Sequence, residues 1–146
     1  SRSRPREIQN YLGRISGPLL DRIDLHVEVP PVKFREMSSQ AGGETSATVR
    51  QRVLTSRATQ HRRLGTRAGC NARMGPRDLQ RHCPLDESTR NVLKAAMEEL
   101  DLSARAYDRI LKVARTIADL AGTEALAVEH ISEAIQYRSL DRQIWT

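Results

Sequence analysis

Aromatic residues are scarce in this chain: 146 residues hold one Trp, one Phe and three Tyr. A core must therefore be assembled from Leu, Ile, Val and Ala, which suits helices packed at close range. Cysteine is nearly absent too. Cys70 and Cys83 are the only two, too few for a disulfide framework in a chain this long, so a reduced, cytoplasmic setting is expected. Nothing approaches the roughly 18 to 20 consecutive apolar residues that a membrane helix needs. The opening run Ser1-Arg-Ser-Arg-Pro-Arg6 is basic but has no apolar segment behind it, so it does not read as a signal peptide. No G-x-x-x-x-G-K-(S/T) phosphate loop occurs anywhere. No serine, histidine and aspartate spacing argues for a nucleophilic triad. A zinc site from His61, Cys70, His82 and Cys83 fails because no two cysteines are closely spaced.

What the chain does have is positive charge. Its formal net charge is +6, with 18 acidic residues interspersed among the basic ones. That balance favours anionic partners such as nucleic acid or nucleotide phosphates.

The segment Arg14-Ile-Ser-Gly-Pro-Leu-Leu-Asp-Arg-Ile-Asp-Leu-His-Val-Glu-Val-Pro30 is the most informative. It reads as the end of a helix over Ile8–Asp21, with Leu19 and Leu20 on its buried side. Asp21, Arg22 and Asp24 crowd its last turn. Leu25–Val29 alternates apolar and polar, which predicts a strand, ended by Pro30-Pro31. No second strand follows, so this strand would leave its backbone groups without partners. Residues 1–32 therefore read as a helix-strand remnant of a larger sheet domain. Residues 33–45, punctuated by Ser38, Ser39, Gly42 and Gly43, read as a flexible linker.

Residues 46–146 read as helical. Thr45 or Ser46 caps a helix running to about Leu64 whose apolar stripe (Val49, Val53, Leu64) is thin. Pro76 opens a short helix to His82. Asp86 caps a helix that places Val92, Leu93, Ala96 and Leu100 on one face. Ser103 caps the next, where Tyr107, Ile110, Leu111, Ala114, Ile117, Ala118 and Ala121 recur with helical period until Gly122 stops it. A last helix runs from about Val128 to Leu140. Short connections between these helices predict a mostly α fold, a small helical bundle.

Arg105 lies just inside a helix N-terminus, where a cation opposes the macrodipole by several tenths of a kcal/mol. This placement asks for a compensating anion. Arg109, Lys112 and Arg115 on the same helix read as a solvated face without chemistry. Arg50, Arg57, Arg62 and Arg63 on the first long helix, together with Arg67, Arg73, Arg77 and Arg81, could contact DNA phosphates, with no claim of base readout.

The wording of residues 11–31 and 100–142 resembles the C-terminal part of ComM-type (YifB-like) AAA+ ATPases, in the magnesium-chelatase and MCM-helicase branch. The (S/D)R-(I/F)-D-L signature matches at Asp21-Arg22-Ile23-Asp24-Leu25, and the sensor-2 helix matches at Leu102–Leu120. The resemblance implies that Arg22 is an arginine finger reaching the γ-phosphate of ATP on a neighbouring subunit. It implies that Arg105 is the sensor-2 arginine, contacting a γ-phosphate from the helical lid domain. It further implies an ATP- and magnesium-dependent homo-oligomeric ring, expected to be a hexamer, acting on DNA in transformation. The Walker elements would lie upstream, so this piece alone is expected to be monomeric and without ATPase activity. Relatives often carry cysteines where Ser1 and Ser3 stand. Without the resemblance, Arg22 could simply pair with Asp21 or Asp24, and the chain could be a free-standing basic helical module that binds nucleic acid.

Overall fold

The computed structural model describes residues 5–38 and 42–138. Ser1, Ser3, Ser39 and the closing Leu140–Arg142 stretch lie outside the described residues. Among the described residues there are eight α-helices: α1 (Pro5–Gly13), α2 (Gly17–Arg22), α3 (Phe34–Ser38), α4 (Ser46–Ala68), α5 (Pro76–His82), α6 (Glu87–Glu99), α7 (Ala104–Ala121) and α8 (Val128–Gln136). A 3₁₀ turn over Asn71–Arg73 joins α4 to α5.

The centre of the bundle is α7, which packs on α8, α4 and α5 and touches α2. Its face of Ile110, Leu111, Ala114 and Ala118 is buried against Leu93 of α6, Leu79 of α5, Leu126, and Ile131 and Ala134 of α8. The small alanines let the helix axes approach closely while Leu and Ile fill the remaining volume. The ends of these helices are set locally. Thr45, Asp86 and Ser103 each accept a hydrogen bond from the backbone N–H three residues on, at 3.2, 2.7 and 3.1 Å. Gly122 closes α7 in the left-handed conformation, φ 73°, which glycine adopts at no steric cost.

Two expectations need correction. The single helix over Ile8–Asp21 is two helices, because Ser16 caps α2 through the Leu19 N–H at 3.2 Å and Pro18 interrupts the preceding backbone ladder. Residues 25–29 form no strand, and none occurs among the described residues; a period-two sequence needs a partner strand, and the described residues supply none. Residues 33–45, expected to be a linker, include the short helix α3, whose Phe34 is 82% exposed.

Helix α4 outlasts its expected end at Leu64 by one turn. Gly65, at φ 64° and ψ −157°, breaks the helical conformation there and the chain resumes to Ala68. Val49 and Val53 stay exposed, so the thin apolar stripe buries little. The inner side of α4 is polar: Gln60 donates to Ser56 Oγ at 3.2 Å and accepts from the Asn71 N–H at 2.9 Å.

Candidate functional site: two exposed arginines on a helix junction

Arg22 is the last residue of α2 and is exposed. Neither flanking carboxylate takes it. The Asp21 carboxylate accepts the Ser103 hydroxyl, shared between its two oxygens at 3.1 and 3.2 Å, and Asp24 is ion-paired with Arg109. Arg109 Nε also donates to the Asp21 carbonyl at 3.1 Å. The Arg22 side chain makes no hydrogen bond or ion pair with any described residue.

The C-terminal end of α2 is held from below as well. Arg138, 2% exposed, donates to the carbonyl of Leu20 at 3.3 Å and to that of Ile23. The Leu20 carbonyl takes this guanidinium alongside the Ile23 N–H, at 3.1 Å, and a cation at this pole also suits the helix dipole. The His26 N–H donates to the Tyr137 carbonyl at 2.7 Å, and Leu20 is buried. The short helix is thus fastened to α7 and to the end of α8, and Arg22 projects from it.

Arg105, the second residue of α7, is exposed and has no partner among the described residues. The anion that its helix end calls for is partly internal. Ser103 Oγ accepts from the Ala106 N–H and donates to Asp21, which brings that carboxylate to the positive pole of α7. Arg22 and Arg105 therefore stand one and two positions from the two ends of a single hydrogen bond.

The charged residues on the rest of α7 are engaged, contrary to the expectation of a solvated face. Besides Arg109, Lys112 Nζ donates to the Ala72 carbonyl at 3.2 Å. Arg115 is buried and donates to the carbonyls of Thr123 and Glu124 at 2.8 and 2.6 Å, and through Nε to Asp119 at 3.2 Å. Asp119 in turn accepts from Arg63 Nη1 at 3.0 Å and Asn71 Nδ2 at 2.9 Å. Burial pushes the Asp119 carboxyl up, but the hydrogen bonds from Arg63 and Asn71 and the nearby guanidinium charges outweigh it and hold the carboxyl below its usual range. The hydrogen bond to Asp119 raises Arg63 correspondingly. The spacing of Arg115 and Asp119, four apart on one helix, was the one sequence signal for this network.

Arg63 is thereby withdrawn from the set of arginines facing solvent: its fork is spent on Asp119 and Asn71. Arg50 and Arg57 are exposed, as is Arg62, which donates to Thr59 Oγ1 at 3.3 Å. Arg62 and Arg81 line one open cleft with His82. Burial, then the charges of Arg63 and Arg81, lower the His82 pKa. Burial pushes the Cys83 thiol up to about 11. Among the described residues no group of three or more His, Cys, Asp or Glu could hold a metal ion, and no helix is long and apolar enough to cross a membrane.

Comparison with known proteins places this geometry. Residues 43–138 match the model of the magnesium chelatase subunit ChlI C-terminal family, and residues 1–37 match that of magnesium chelatase subunit ChlI. The competence protein ComM of Haemophilus influenzae is 43% identical over 97% of this chain. The protein YifB of Salmonella typhimurium is 41% identical and that of Escherichia coli 38% identical, each over 97% of this chain. The chain spans 28% of the length of each of these relatives. It therefore belongs to the magnesium chelatase subunit ChlI C-terminal family and is similar, along nearly its whole length, to the C-terminal region of ComM/YifB-like AAA+ proteins.

Proposed function

We propose that this chain is the lid-bearing C-terminal region of a ring-forming AAA+ ATPase, in which Arg22 is an arginine finger and Arg105 a sensor-2 arginine. The observation that carries the reading is the state of Arg22. Two carboxylates flank it in sequence, yet α7 occupies both, through Ser103 and Arg109, and the guanidinium is left exposed. An arginine shielded from its own neighbours is available to an anion outside its domain. Arginine stays protonated at any physiological pH. Its fork matches the equatorial oxygens of a γ-phosphoryl group, on which charge gathers during transfer.

ATP and its magnesium would sit in the pocket of a neighbouring subunit of a homo-oligomeric ring, a hexamer in this reading. Arg22 and Arg105 would contribute charge there without moving a proton. The ring would act on DNA, in keeping with the competence function named for the Haemophilus relative. Arg50, Arg57 and Arg62 along α4 would contact DNA phosphates without reading bases.

The test is Arg22→Ala in the full-length protein. An arginine finger supplies roughly 10³- to 10⁵-fold in turnover. Hydrolysis should therefore collapse while ATP binding persists, and mixing with subunits defective in nucleotide binding should restore part of it. Turnover within about twofold of wild type would sink the assignment.

A further inference from the structure

We propose that Ser103, Arg109 and Arg138 are positioning residues that lock the Arg22-bearing helix to the lid, so that Arg22 and Arg105 move as one body. This rests on the reading of Arg22 as the finger. Helix α2 has six residues, too short to hold its own orientation. Only Leu20 of it is buried, and α3, which follows it in sequence, buries no residue that would brace it. The direction of Arg22 must therefore come from polar ties to the bundle.

Those ties converge from two helices. From α7, Ser103 holds the Asp21 carboxylate, while Arg109 holds the Asp21 carbonyl and the Asp24 carboxylate. From the end of α8, Arg138 holds the carbonyls of Leu20 and Ile23. The residues immediately before and after Arg22 are thus both fixed by side chains that sit more than 80 positions later in the chain. None of the three touches the guanidinium itself. Their effect on catalysis would run through the placement of Arg22, where an error of about 1 Å can cost on the order of 10²-fold.

Ser103 permits a clean separation of positioning from folding. Ser103→Asp keeps a side-chain acceptor for the Ala106 N–H, since aspartate caps helices well. It removes the donor to Asp21 and sets two carboxylates face to face. Ser103→Thr keeps both the cap and the hydroxyl donor. In the full-length protein, with ATP as substrate, Ser103→Asp should lower kcat by about tenfold or more with KM for ATP and the melting midpoint held. Ser103→Thr should behave as wild type, and Arg109→Ala should reproduce the kcat loss. Because the effect passes through Arg22, adding Ser103→Asp to Arg22→Ala should cost nothing further.

Wild-type kcat in both Ser103→Asp and Arg109→Ala, alongside a crippled Arg22→Ala, would overturn the positioning role and leave the finger standing. An undiminished additional loss in the Arg22→Ala background would overturn it equally, since the two would then act by separate routes. Normal turnover in Arg22→Ala would remove the finger and this inference together.

Discussion

Ser103 and Asp21 lie 82 positions apart, and the Ser103 hydroxyl donates to the Asp21 carboxylate at 3.1 Å while accepting from the Ala106 N–H. One oxygen thus ends a helix, anchors another and places a negative charge at the positive pole of α7. Asp21 supplies part of the negative charge that this pole favours, while Arg105 at the same pole has no partner among the described residues. The consequences can be measured.

Arg105→Ala should move stability and activity in opposite directions. Removing a cation from a helix N-terminus relieves about 0.3–1 kcal/mol of unfavourable dipole interaction. Alanine also has the higher helix propensity. The melting midpoint should hold or rise slightly, while ATP turnover in the full-length protein falls. A drop in both would mean that Arg105 is a structural residue.

Asp119→Ala should be among the most destabilising single changes in the chain. It leaves Arg115, 2% exposed, and half-buried Arg63 without their shared carboxylate. Breaking a buried pair by removing one partner costs about 3–5 kcal/mol, read as a loss of urea stability. The pH dependence follows from the depressed folded-state pKa of Asp119. Its contribution is present above the unfolded value of 3.8 and is lost as pH falls through the lower folded value. Wild type should lose stability as pH falls from about 3.8 to that lower folded value, and Asp119→Ala should show a shallower acid dependence.

Arginines along α4 should separate into two groups. Arg50→Ala, Arg57→Ala and Arg62→Ala should leave the melting midpoint unchanged. Each should reduce the slope of log affinity for DNA against log salt by about one unit. Arg63→Ala should instead destabilise the fold, because its guanidinium belongs to Asp119. Equal effects of all four on DNA affinity, with no loss of stability for Arg63→Ala, would contradict this division.

Cys83 should resist thiol reagents in the native state. With its pKa raised to about 11 and its side chain buried, only about one molecule in a thousand carries a thiolate at pH 8. Labelling of Cys83 should therefore follow global unfolding in urea. Rapid native labelling at Cys83 would show that α5 opens locally.

Much of the helical bundle was legible in the sequence because its signals are local. The Thr45, Asp86 and Ser103 caps, Pro76 at the start of α5, Gly122 at the end of α7 and the apolar period of α7 each act within one or two turns. The break at Ser16-Gly17-Pro18 was legible on the same grounds and was overridden by the apolar pattern around it. Leu25–Val29 shows the opposite limit. Its alternation specifies what a strand would face, but a strand exists only when a second one pairs with it.

The charged residues of α7 mark where local reading ends. Arg109, Lys112 and Arg115 recur every three residues on one helix and are indistinguishable by propensity. Their roles were decided by what stands opposite each: the end of α2 for Arg109, the 3₁₀ turn for Lys112, and Asp119 with the Thr123-Glu124 backbone for Arg115. By itself the sequence determined where helices begin, end and present apolar faces, since caps and periodicity depend on neighbours three or four residues away. Tertiary structure alone decided which arginines became internal ties and which, like Arg22 and Arg105, stayed open, because an ion pair is chosen by proximity across elements far apart in the chain.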